Sequence, residues 1–175
     1  MEEIENHLML ERFEEEGYYV YSLFFYRGII RDLIRSWKFY SSSYMIHPLS
    51  FLLEKFIIEN NIYLEALSYI PMYRRKKLVR GFDPMEDLAK ALAVKTGLEA
   101  TNLLRRNRST KPLYKMKAQE RKKEIAGCFD VVASPRFKVV GILDDIYTTG
   151  ATTREAARVL FEAGHQDFFF IVLAK

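Results

Sequence analysis

The sequence predicts an α/β fold with a mostly parallel central sheet flanked by helices. Three observations carry this. From residue 66 onward, short apolar runs alternate with helical periodicity in the order strand, helix, strand, loop, strand, helix, strand. The run FKVVGIL at residues 137–143 is β-rich and apolar apart from Lys138, as is typical of a strand in a parallel sheet. The chain has 175 residues, 49% of them apolar and 29% charged, which suffices for one real hydrophobic core.

The elements follow in order. Residues 1–17 form a separate acidic segment. Positions 2–16 hold seven Glu against Arg12 alone, and the simplest reading is an exposed helix. The domain proper spans 18–175. Residues 18–26, YYVYSLFFY, are aromatic and β-branched and read as a strand. Ile29, Ile30, Leu33, Ile34 and Trp37 give a helix over 28–39, followed by a turn at 40–43. Pro48 suits a first helical turn, with Leu49, Leu52, Leu53, Phe56 and Ile57 as the buried stripe and Asn60-Asn61 as the stop.

Residues 66–70, ALSYI, form a short strand running into a basic loop, 71–80. Asp83-Pro84-Met85-Glu86 starts the next helix: Asp83 as cap, Pro84 in the first turn and Glu86 placed for a capping box. Gly97 ends it. A short strand near 100–104 leads into 105–128, where large apolar residues are few and no strand is clear. A connection of that length reads as a lid or binding loop, with a short helix over 118–127. After the strand at 137–143, Ala156, Val159, Leu160 and Ala163 mark a helix ended by Gly164, and 168–174 is the last strand.

No apolar run approaches the roughly 20 residues of a membrane helix, and the acidic N-terminus is unlike a signal peptide. The expectation is a soluble cytoplasmic protein. A single cysteine, Cys128, excludes a disulfide framework and a Cys-based zinc site; it reads as a small core residue. His7, His47 and His165 lie far apart, which does not encourage a His-built metal site. The net charge of +4 hides an asymmetry. Residues 105–123 hold nine bases against Glu120 alone, and 73–80 hold five bases and no acid. Two such runs in one small domain point to an anionic ligand.

The chemistry centres on Asp144-Asp145-Ile146-Tyr147-Thr148-Thr149-Gly150-Ala151-Thr152-Thr153. In an open parallel sheet, ligands bind beyond the carboxyl ends of the strands. Two carboxylates there can accept hydrogen bonds from a diol or bind a divalent cation. The hydroxyl-rich stretch enters a helix N-terminus, where unpaired N–H groups favour an anion, and Gly150 lets the backbone approach closely. Diol acceptors followed by a phosphate cradle describe a ribose 5-phosphate site. A bland alternative is that the aspartates end a strand and a threonine caps a helix. Neither a Walker A loop nor a dinucleotide fingerprint is present.

The run VVGILDDIYTTGATT resembles the phosphoribosyl pyrophosphate (PRPP) binding motif of type I phosphoribosyltransferases. Other segments resemble the ComF competence-protein branch: Tyr26-Arg27-Gly28 through Lys38-Phe39, Ile70-Pro71 to Arg80-Gly81-Phe82-Asp83-Pro84, Thr110-Lys111-Pro112-Leu113, Glu120-Arg121, Glu124 and Gly127-Cys128-Phe129. The resemblance spans residues 18–175. The chain departs from that branch in lacking its frequent four-cysteine zinc ribbon and in carrying Asp83-Pro84, Leu113 and Glu124 where amides are usual.

The resemblance implies a type I phosphoribosyltransferase-like fold with an N-terminal hood-like strand and helix. It implies ribose hydroxyls on Asp144 and Asp145, and a 5-phosphate on Thr148, Thr149, Gly150, Ala151 and Thr152. Arg74, Arg75 and Arg80 would meet the pyrophosphate, with Asp144, Asp145, Arg74 and Arg80 as the catalytic groups. A flexible loop carrying Arg105, Arg106, Arg108, Lys115 and Arg121 would close over PRPP. Mg2+ would bridge ligand oxygens and keep several waters, with Asp144 and Asp145 in reach.

Two functions compete. One is a phosphoribosyltransferase acting on an unknown acceptor. The other is a module that handles single-stranded DNA, since the ComF family is associated with its uptake and the basic segments, with Tyr114 interleaved, suit phosphates and bases. In this reading Arg105, Arg106 and Arg108 are solvated. A phosphatase or receiver-like domain using Asp144 and Asp145 is disfavoured, because it needs a lysine after a later strand and only Lys175 offers one.

Overall fold

The computed structural model describes residues 8–39, 43–111 and 116–175. Residues 40–42 of the expected turn, and Lys115, lie outside them. The strands are β1 (Leu8–Glu15), β2 (Tyr18–Phe24), β3 (Ala66–Tyr69), β4 (Glu99–Ala100), β5 (Leu104–Arg106), β6 (Phe129–Val131), β7 (Val140–Ile146) and β8 (Phe168–Ala174). The helices are α1 (Gly28–Phe39), α2 (Ile46–Glu59), α3 (Arg74–Arg80), α4 (Pro84–Thr96), α5 (Ala118–Ile125) and α6 (Ala151–Glu162).

Six strands form one sheet in the order β1-β2-β8-β7-β3-β4. Only β1 runs antiparallel to its neighbour. The expected α/β architecture with a mostly parallel sheet is what the chain adopts. A separate antiparallel pair, β5 with β6, stands beside it.

Each central strand buries both faces. On one face Leu67, Leu143, Ile171 and Leu173 pack against α1, α2 and α4 through Ile34, Trp37, Leu53 and Leu88. On the other, Ile142, Phe170 and Val172 pack against Ala156 and Leu160 of α6 and Leu104 and Ile125 of the β5–α5 segment. Cys128 is buried in this second cluster, as expected. Truncating a residue as buried as Phe170 would cost about 3–5 kcal/mol.

Four local expectations are corrected. Residues 8–15 of the acidic segment form β1 instead of a helix, because Glu11, Phe13 and Glu15 find partners across the sheet edge in Lys175, Tyr147 and Arg154. The basic stretch 74–80 is helical instead of a loop: Arg and Lys are good helix formers, and Gly81 ends the turn at φ +87°, donating its N–H to the Lys77 carbonyl. Residues 104–106 form a strand where none was clear. The strand expected at 137–143 runs instead from 140 to 146, so both aspartates lie within it. No helix among the described residues is long and apolar enough to cross a membrane.

Candidate ligand-binding site

β3 and β7 are neighbouring parallel strands, with Ser68 opposite Ile142 and Tyr69 opposite Leu143. Their carboxyl ends therefore open on the same sheet edge. The ladder closes with the Ile70 N–H donating to the Leu143 carbonyl at 2.8 Å. At the end of β7, Asp144 is buried and Asp145 half-buried, and Asp144 Oδ1 accepts the Asp145 N–H at 2.8 Å. That bond fixes the turn of the Asp144 carboxylate relative to the strand.

Beyond β7 the chain turns into α6. Gly150 precedes the helix at φ +70°, a left-handed conformation that favours glycine. Thr153 Oγ1 donates to the Gly150 carbonyl at 3.1 Å, and the Arg154 N–H closes the first helical turn on the same oxygen at 2.9 Å. The first N–H groups of α6 have no intrahelical acceptor and face an electrostatically positive helix end. Asp144, Thr148, Thr149, Gly150 and Thr152 line one narrow pocket there, joined by Arg121 of α5. Arg121 Nη1 donates to Thr148 Oγ1 at 2.6 Å. The structure thus joins Asp144, the threonine-rich turn and one cation of the basic segment, with Asp145 beside them at the strand end.

Three other cations of that segment make contacts within it: Arg105 stays exposed, as expected, whereas Arg106 and Arg108 are half-buried, which corrects the expectation that they are solvated. Arg105 pairs with Asp130 across the β5–β6 ladder at 2.8 Å. Arg106 donates to Thr110 Oγ1 at 2.9 Å and lies over the Phe129 ring. Arg108 donates to the carbonyls of Glu124 and Ala126, satisfying the C-terminal end of α5. These three hold the hairpin and α5 together.

On the neighbouring loop, Asp83 caps α4 by accepting the Met85 N–H at 3.1 Å. Its second oxygen accepts the Met72 N–H at 2.7 Å, tying the loop after β3 to the helix start. The expected capping box does not form: the Glu86 carboxylate is taken by Lys77 and Lys90 instead. Burial pushes the Asp83 carboxyl upward, opposed by the backbone donors. Arg74 and Arg75 are exposed on α3, and Arg80 lies over Phe82. Tyr73, Arg75, Lys76, Arg80 and Ser109 line an open groove of about 500 Å³. Lys76 bridges to the Thr110 carbonyl at 2.8 Å, and burial together with Arg106 and Arg80 lowers its pKa.

One contributor escaped the sequence reading. Glu15 of β1 accepts the Tyr147 hydroxyl at 2.5 Å and pairs with Arg154 at 2.8 Å. Burial and the Glu15 charge raise the Tyr147 pKa above the usual tyrosine range. Burial pushes Tyr18 up to about 12 while its hydroxyl donates to Thr153 Oγ1 at 3.3 Å. The period-two spacing of Glu11, Phe13 and Glu15 was the available signal. No group of three or more His, Cys, Asp or Glu among the described residues could cage a metal. A magnesium ion that keeps its waters and is carried by ligand oxygens needs only one or two carboxylates, and Asp144 with Asp145 meets that demand.

No family model matches the chain. Competence protein F of Haemophilus influenzae is 22% identical to it, over 75% of this chain and 70% of that protein. The chain is similar in sequence to Competence protein F. The ComF resemblance read from the ordered motifs is thereby borne out. Two solved structures, adenine phosphoribosyltransferases of Leishmania tarentolae and Leishmania donovani, align with 94% of this chain at 12% identity. The alignments cover 94% and 86% of those chains, each at a TM-score of 0.46.

Proposed function

We propose that the chain is a ComF-type phosphoribosyltransferase with a role in competence. It binds PRPP and transfers the phosphoribosyl group to an acceptor with release of pyrophosphate. One observation carries this reading: Asp144 near the end of β7, with Asp145 next to it in the strand, shares a pocket with a hydroxyl-rich helix N-terminus and an arginine.

In this reading Asp144 and Asp145 accept hydrogen bonds from the ribose hydroxyls and orient the sugar. The N–H groups and hydroxyls of residues 148–152 hold the 5-phosphate. Arg74, Arg75 and Arg80 lie on the segment after β3 and oppose the negative charge that develops on the departing pyrophosphate. The segment carrying Arg121 closes over the pocket and excludes water, which protects an activated ribose from hydrolysis. Magnesium, when bound, supplies charge neutralisation at the pyrophosphate. The test is a calorimetric titration with PRPP, with and without magnesium. Absence of PRPP binding by the folded protein would overturn the reading.

A second reading has its own observation. The groove beside Tyr73, Arg75, Lys76 and Arg80 is open and basic and carries an aromatic ring, features that suit single-stranded DNA. Affinity for such DNA should fall with salt by about −0.7 in log–log slope per phosphate neutralised. DNA binding displaced by PRPP would place both ligands on this edge, and no DNA binding at low salt would remove this reading alone.

A further inference from the structure

We propose that Glu15 is a positioning residue of the phosphate cradle, acting from the sheet edge through Tyr147 and Arg154. The inference rests on the reading of residues 148–152 as a phosphate site.

Both carboxylate oxygens are committed. Oε1 accepts the Tyr147 hydroxyl at 2.5 Å, and Oε2 meets Arg154 Nη1 at 2.8 Å. Arg154 uses its other terminal nitrogen to donate to the Thr149 carbonyl. The chain of contacts therefore runs from β1 through one guanidinium to the backbone of the cradle. Gly150 sits directly against the same two groups: a Cβ there would lie 2.6 Å from Tyr147 Oη and 2.8 Å from Arg154 Nη1.

The physical demand is specific. An anion site needs N–H groups toward the ligand and carbonyls away from it. The Thr149 carbonyl, held by Arg154, is kept off the anion. Glu15 in turn holds Arg154 in that place and offsets its charge, so the guanidinium serves the loop and is not drawn to the ligand. Tyr18 of the same hairpin adds a second strut, donating to Thr153 Oγ1, which itself donates to the Gly150 carbonyl. The β1–β2 hairpin thus meets the turn at two points; Glu15 and Tyr18 stand outside the pocket lining, while their partners Tyr147 and Thr153 belong to it.

The experiment compares Glu15→Ala and Glu15→Gln with the wild type. Calorimetry reads ribose 5-phosphate and inorganic pyrophosphate separately, and amide hydrogen exchange reads residues 147–152. Loss of the clamp in Glu15→Ala is expected to weaken ribose 5-phosphate about tenfold and pyrophosphate by less than about twofold. Glu15→Gln is expected to stay within about threefold of wild type, since an amide can accept from Arg154 and donate to the Tyr147 oxygen. Equal losses for both ligands, or none for either, overturn the proposal. If the wild type binds neither ligand, the phosphate reading fails by itself. The clamp is then judged by exchange: faster exchange confined to 147–152 in Glu15→Ala supports it, and unchanged exchange overturns it. Should Glu15→Ala not fold, Tyr147→Phe removes one contact while keeping the ring against Phe13, and it is read by the same comparisons.

Discussion

Arg121 on α5 donates to the Thr148 hydroxyl on the turn before α6 at 2.6 Å. A cation from the basic segment thus rests on the threonine turn. A phosphate arriving there would offer the guanidinium a charged acceptor in place of a neutral one, a stronger partner.

Arg121→Ala is expected to weaken PRPP binding by about 1–2 kcal/mol, the worth of a hydrogen bond to a charged group at a partly exposed site. Arg121→Lys should recover part of it. Titration calorimetry measures this, and thermal unfolding should show no loss of stability beyond about 0.5 kcal/mol. Unchanged affinity in Arg121→Ala would separate the basic segment from the ligand.

Gly150→Ala is expected to cost more than Gly97→Ala, although both glycines have φ near +70°. Nothing lies within 4 Å of a Cβ at Gly97, so only the backbone penalty of about 1 kcal/mol applies there. At Gly150 the new methyl meets Tyr147 and Arg154, which should add about 1–3 kcal/mol. Chemical denaturation of the two variants side by side gives the difference, and equal losses would mean that the turn yields freely.

Asp145→Asn should leave folding intact and, in the proposed reading where it accepts from the ribose, weaken PRPP binding by about 1.5–3 kcal/mol, since a half-buried carboxylate at a strand end contributes little core packing. A folded variant with wild-type affinity would remove the diol-binding role.

The Glu86 carboxyl is raised by burial, but hydrogen bonds from Lys77 and Lys90 outweigh this and leave it below the usual range. A depressed folded pKa means that the unfolded chain takes up the proton first. The stabilisation is therefore complete above the unfolded glutamate value of about 4.3 and is lost as pH falls through the lower folded value. Glu86→Gln should be about 1 kcal/mol less stable than wild type at pH 7, with the gap closing below about pH 4. A gap independent of pH would assign the effect to packing.

The parts legible in the sequence were those whose cause is local. Apolar spacing located α1, α2, α4 and α6, and β-branched and aromatic runs located β2, β3 and β8. The aspartates and the threonine turn were legible because strand end, diol acceptor and helix start are consecutive in the chain. What escaped depended on distant partners. Glu11 and Glu15 favour a helix by propensity, yet their carboxylates are satisfied by Lys175 and Arg154 at the far end of the sequence. Asp83 reads as a cap, but its bond to Met72 N–H joins two loops that only the fold brings together. Arg108 reads as a solvated charge, and only the position of α5 makes it a helix cap.

β1 has a consequence for the colloidal behaviour of the molecule. It is the outermost strand of the sheet, and it presents Arg12 and Glu14 to solvent along that border. Behind it lies β2, whose sequence YYVYSLF is mostly buried and strongly β-prone. Without its neighbour, β2 would offer an aromatic, uncharged row of open hydrogen-bonding groups to any other chain. The charged border strand turns a segment fit for strand-to-strand pairing with other chains into an interior one.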